Sequence, residues 1–134
     1  MDSNKNIETL EDAARAAEEI AVRAQNEPDA GSYIHKFKKP FEREGRTYEQ
    51  LTFHWAKLTG ADYLDVENEL LMRGKTLIVP EYTGPFLCGL AARACEELAG
   101  VAPPLRGQFI RALPLRDFKT ICGRTRAFLT RAES

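Results

Sequence analysis

Two histidines, three cysteines and a run of carboxylates are the side chains here that could do more than pack. His35 and His54 fall in two stretches of alternating apolar and polar residues. Opposite parity would put them on opposite faces of a hairpin, so surface or edge positions are expected rather than a shared metal or acid–base site. Cys88 and Cys95 stand seven apart, two turns along one side of a helix, and Cys122 stands alone. An odd number of cysteines, at no zinc or disulfide spacing, reads as small buried apolar residues in a reducing compartment. Asp62, Asp65, Glu67 and Glu69 share one acidic stretch. Asp65 and Glu69 at i, i+4 would offer an oxygen pair to Mg²⁺, but no third ligand is near, and a solvated helix face accounts for them as well. The sequence has no phosphate-cradling glycine loop, nucleophile elbow or metalloprotease helix. The expectation is a protein without catalytic residues, cofactor or metal.

The clearest structural signal lies around these residues. Leu51, Phe53 and Trp55 alternate with Thr52 and His54, as a strand with one buried face requires. Upstream, Tyr33, His35, Phe37 and Phe41 share one parity. Arg43-Glu44-Gly45-Arg46 separates the two runs, and Gly45 can take the positive φ of a tight hairpin turn. Pro40 cannot donate to a ladder, so the first strand is an edge or breaks at Lys39. Tyr48 has the wrong parity for the face of Leu51, which calls for a bulge near Glu49-Gln50 or a Tyr48 on the other face. A lone hairpin is marginal in water, so helices must cover it.

Those helices can be placed by their apolar spacing. Ile7, Leu10, Ala14, Ala17, Ile20 or Ala21, and Ala24 predict an amphipathic helix over residues 4–25 with a thin, alanine-rich stripe, followed by the turn-rich NEPDAGS connector. Thr59 and Asp62 resemble a capping box. The helix they open has Tyr63, Val66 and Leu70, with Leu64 and Leu71, as a wide apolar face, and Gly74 as its stop. Residues 75–80 fit either a third strand or an extended connector ended by Pro80. Thr83-Gly84-Pro85 opens a helix predicted to reach Gly100, whose small residues, Gly89 among them, would let a neighbour approach closely. A break over residues 101–104 precedes a short helix at 105–113. Leu113-Pro114-Leu115-Arg116-Asp117-Phe118 opens the last, with Phe118, Ile121, Cys122, Thr125, Phe128 and Leu129 as its stripe.

The 134 residues suit one domain, and no stretch reaches the roughly 18–20 uncharged apolar residues that span a bilayer. The acidic N-terminus lacks the basic and apolar regions of a secretory signal, so a cytoplasmic protein is expected. Charge is unevenly spread: residues 1–30 hold eight acidic and three basic side chains, and residues 101–134 hold two acidic and seven basic. Arg116, Lys119, Arg124, Arg126 and Arg131 on the last helix admit a nucleic-acid reading. The acidic overall balance and the lack of interleaved aromatics disfavour it. An acidic protein partner, or the acidic N-terminal arm of a neighbouring copy, suits that face as well, and Arg126 and Arg131 also complement the helix dipole.

In order and spacing these motifs resemble the small tail assembly chaperones of contractile-tailed phages such as Mu and P2. The likeness covers roughly residues 33–130. It is carried by Lys39-Pro40-Phe41, Gly45, Tyr48, Leu51-Thr52-Phe53 and Thr59-Gly60-Ala61-Asp62, then by Leu98-Ala99-Gly100, the Leu113-to-Phe118 motif and Phe128-Leu129. His54-Trp55 and Leu58 stand where the family usually has an arginine followed by a proline. The resemblance implies a non-catalytic protein of the host cytoplasm that binds the tape measure protein, keeps it soluble until tail tube protein polymerises round it, and is absent from the virion. Homo-oligomerisation is compatible with it. The partner-binding residues expected are Arg116, Phe118, Arg124, Phe128 and Arg131, on the face of the last two helices. Alternative readings are a small nucleic-acid-binding regulator and a minor structural protein of the virion tail. The fold expected is α+β and mainly helical: an N-terminal β-hairpin packed against three to four helices, with residues 1–32 as a helical arm and linker and residues 33–134 as the domain.

Overall fold

Alternation and turn chemistry produce the hairpin at the expected place in the computed structural model, which describes residues 31–74 and 83–132 together with Arg15 and Ile20. Strand β1 (Tyr33–Arg43) pairs antiparallel with β2 (Arg46–Phe53), with Tyr33 opposite Phe53 and His35 opposite Leu51. Arg43 and Arg46 close the ladder, so the turn is Glu44-Gly45, with φ of 50° and 79°. Positive φ at both positions matches the right-handed twist of the strands. Glycine takes this freely, whereas Glu44 takes it at some cost.

The parity of Tyr48 is resolved by an irregularity in the ladder. Between the pairs Lys36–Gln50 and Phe41–Tyr48, residues 37–40 of β1 lie opposite Glu49 alone. The shift brings Tyr48 back to the core side, where its ring meets Phe109 edge-on at 4.9 Å. Pro40 sits in this unpaired stretch, and the strand resumes beyond it. Exposed Lys36, Lys38, Lys39 and Pro40 are what discourages further strand pairing on β1.

The chain after β2 explains where the helices stop. A 3-10 turn at Trp55–Lys57 leads into α1 (Gly60–Met72). The Thr59 backbone N–H donates to the Asp62 carboxylate at 2.8 Å, closing the expected capping box. Gly74, at φ 79°, ends the helix. Helix α2 (Gly84–Ala94) has Pro85 in its first turn and is buried almost all round, as Phe86, Leu87, Leu90 and Ala91 testify. It stops at Ala94, short of the expected Gly100, because the edge of β2 captures its end. The His54 N–H donates to the Ala94 carbonyl at 2.9 Å, and Cys95 forms a bridge with Phe53. In the 3-10 turn Glu96–Leu98, the Glu97 carboxylate accepts the Thr52 N–H at 2.7 Å and its hydroxyl at 3.1 Å. Helices α3 (Pro103–Arg111) and α4 (Leu115–Ala132) complete the fold. Pro103 and Pro104 belong to the first turn of α3 rather than to a break before it, since neither needs an N–H there.

The fold is therefore α+β and mainly helical, with a two-stranded hairpin and four helices among the described residues. Leu51 and Phe53 are fully buried and Trp55 nearly so, in one core with residues of α2, α3 and α4 such as Ala91, Ile110 and Ile121. Val66, Leu70, Phe86 and Leu90 form a second cluster between α1 and α2. The wide face expected of α1 is narrower than its apolar content suggests: Leu64 and Leu71 are 61% and 52% exposed. They lie about 100° round the helix from Tyr63 and Leu70, beyond what α2 alone can cover. Arg15 and Ile20 are both helical; the rest of the expected N-terminal helix, and residues 75–80 with their strand-or-connector question, lie outside the described residues.

Close approach of α1 to α2 depends on Gly89, as the small-residue pattern predicted. A Cβ there would stand 2.5 Å from Val66 Cγ1. Gly89→Ala is expected to destabilise by about 1–3 kcal/mol through overpacking, despite alanine's helix propensity. Val66→Ala in the same chain should recover part of that loss, which thermal melts of the four proteins in the cycle would measure.

Candidate functional site

The cysteines, histidines and carboxylates do not converge. Cys88, Cys95 and Cys122 are free and buried. Burial pushes the Cys88 thiol up to about 11 against a smaller opposing effect of Arg111. Burial raises Cys95 to about 12 with the help of Glu97, and Cys122 to about 12 with the help of Cys88. Such thiols are poor nucleophiles. The expected result is that native protein resists alkylation by iodoacetamide at pH 8, while three sites react after denaturation; rapid labelling of the native chain would contradict the burial.

His35 is not the surface or edge residue that its strand position suggested. It is 6% exposed, with Nε2 2.6 Å from Asp117 Oδ1 and Nδ1 2.9 Å from the Tyr33 hydroxyl. Asp117 is in the first turn of α4, so this chain of polar groups fastens the hairpin to that helix. His54 is held elsewhere: its Nε2 lies 3.5 Å from the Glu96 carboxylate, and its side chain is 30% exposed. The two histidines build no common site.

The acidic face of α1 is not a simply solvated one. The guanidinium of Arg93, on α2, reaches it and lies 3.1 Å from Asp62, 3.7 Å from Asp65 and 3.2 Å from Glu69. Where the spacing offered a pair of oxygens to a divalent cation, a side-chain cation stands. Burial would raise the pKa of Asp62, but hydrogen bonds from the Thr59 N–H and from Arg93 and the Thr59 hydroxyl, with the Arg93 charge, outweigh it and hold the carboxyl below its usual 3.8. Glu67 carries no part in this cluster. Among the described residues no group of His, Cys, Asp and Glu is arranged to hold a metal ion, and no helix is long and apolar enough to cross a membrane.

The residues expected to grip a partner are dispersed along α4. Arg116 and Arg131 are exposed near its two ends, about 22 Å apart at 1.5 Å per residue. Arg124 does not stand on an open basic face: its guanidinium carbon sits 4.2 Å above the Tyr33 ring, a cation–π contact. Phe128 stacks on Trp55 at 6.5 Å. Of the five, Phe118 lines a concave surface.

That surface is a trough of about 590 Å³ between α1, α2 and α3, with Phe118 at the start of α4. Its apolar lining includes Val66, Leu70, Cys88, Gly89, Ala92 and Phe118, and Glu69, Arg73, Arg93, Gln108 and Arg111 supply the polar groups. It stays open at Gly84 and Gly107, where an added Cβ would meet nothing within 4 Å. The chain matches no protein-family model, no curated protein and no solved structure. The trough is not legible in the sequence because its walls are three separate helices, and the periodicity of each does not give how they sit against one another. The available signal was Gly107, a glycine inside a short helix that has no turn to make.

Proposed function

We propose that this protein is a non-catalytic tail assembly chaperone that binds the tape measure protein in the host cytoplasm, keeps it competent for tail tube polymerisation and is absent from the finished virion. The observation that carries the reading is the trough: a partly apolar concavity of about 590 Å³ between three helices, beside a helix α1 that leaves Leu64, Leu71 and Met72 exposed. Clients whose apolar side chains would otherwise aggregate need such a surface, and exposed apolar residues on an α-helix suit another helix. The order of motifs shared with the phage chaperones supports the same reading. The nucleic-acid alternative is weakened by Arg124, which is spent on Tyr33, and by the carboxylates surrounding Arg93.

Co-expression tests the function directly. The tape measure protein that this reading requires as client should be largely insoluble alone, and soluble and co-purifying when the full chain is present. An unchanged soluble fraction would overturn the reading, as would finding this protein at stoichiometric levels in purified particles.

A further inference from the structure

We infer that the trough bounded by α1, α2 and α3 seats one amphipathic helix of the client, whose apolar side chains enter beside Gly107 and whose carboxylates pair with Arg73 and Arg111. The inference rests on the reading of this protein as a polypeptide-binding chaperone and adds to it the chemistry of the bound segment. Shape gives the first half. Gly107 leaves open space in the lining, so the groove has room for protruding leucine-sized side chains, and its rim residues Arg73, Pro85, Pro104, Gln108 and Arg111 are exposed. Helical ligands present such anchors at i, i+3 or i+4, and i+7.

Charge gives the second half. Arg93 is already surrounded by Asp62, Asp65 and Glu69. Arg73, which caps the end of α1, and Arg111, the last residue of α3, have no carboxylate partner among the described residues. Two arginines flanking an apolar floor select a segment with acidic residues on either side of its apolar stripe. They are too few to track a phosphate backbone.

The test uses the full chain and two fluorescein-labelled designed peptides of about 18 residues, long enough to hold a helix on a surface. Both have leucines at helical spacing; one carries glutamates beside the stripe and the other lysines. In anisotropy titrations the glutamate peptide should bind at least about tenfold more tightly than the lysine peptide, with affinity falling as salt rises. R73E/R111E should reverse the preference. Gly107→Leu, which places its side chain in open space on a helix, should abolish binding of either peptide without lowering the melting temperature. Equal affinity for both peptides, no binding of either, or a Gly107→Leu chain that binds as before would each overturn the inference. If wild-type chain keeps the tape measure protein soluble while failing to bind the glutamate peptide, the seat is wrong and the chaperone reading survives. If the peptide binds and the client stays insoluble, the trough takes acidic helices and the chaperone reading falls.

Discussion

Trp55→Ala is expected to lower the unfolding free energy by about 3–5 kcal/mol, the range for removing a large aromatic from a core. That is a large part of the roughly 5–15 kcal/mol that holds a domain of this size together. Trp55 is 1% exposed. Its ring lies 5.5 Å from Phe53, 6.2 Å from Tyr33 and 6.5 Å from Phe128, in near-parallel stacks. It therefore touches both strands and α4 at once, and its loss opens a cavity at the joint between hairpin and helices. Trp55→Phe separates packing from polarity. The indole N–H is buried without an acceptor among the described residues, a group that costs about 1–3 kcal/mol when unpaired. Phenylalanine discards that N–H and keeps a ring in the stack, so it should cost less than half as much as alanine. Urea unfolding followed by far-UV circular dichroism measures both, since Trp55 is the only tryptophan and its fluorescence disappears with it. An alanine variant within about 1 kcal/mol of the wild type would mean that the stack is not what joins the two layers.

The parts of this fold that local chemistry dictates were legible in the sequence, and those that depend on distant partners were not. Alternation at Leu51, Phe53 and Trp55 places the strand, Gly45 its turn, Thr59 and Asp62 the start of α1, and Gly74 its end, because each acts on its own neighbours. The end of α2 is not legible locally, because Cys95 leaves the helix for a strand edge some 40 residues earlier in the chain. The burial of His35 is hidden for the same reason: its partner, Asp117, is 82 residues away. Leu64 and Leu71 show a different failure. Periodicity gives the direction of an apolar face, while its buried width depends on how many neighbours α1 has. The candidate site followed suit, since Phe118 could be singled out from its own helix but the trough it lines is made by three others.

Arg93→Gln should cost about 2 kcal/mol near pH 7, with the loss shrinking as the solution is acidified. Arg93 is 18% exposed at its side chain and meets carboxylates that are 26%, 61% and 42% exposed at Asp62, Asp65 and Glu69. Removing one partner of a fully buried ion pair costs about 3–5 kcal/mol, and the wetter surroundings of Asp65 and Glu69 place this cluster lower. The substitution leaves three carboxylates on one face of α1 with no cation between them, so repulsion adds to the lost hydrogen bonds. The sign of the pH effect follows from Asp62, whose pKa is lower in the folded chain than in the unfolded one. Its contribution is complete above the unfolded carboxylate range, about pH 4, and is lost as the pH falls through the depressed native value. Below that range the acids protonate, repulsion disappears and the variant should approach the wild type. Added salt at pH 7 should narrow the gap in the same direction. Denaturant midpoints of the two proteins at pH 7, 5 and 3 decide the matter: a gap constant across the three would show that Arg93 stabilises the α1–α2 contact through its apolar stem rather than through its charge.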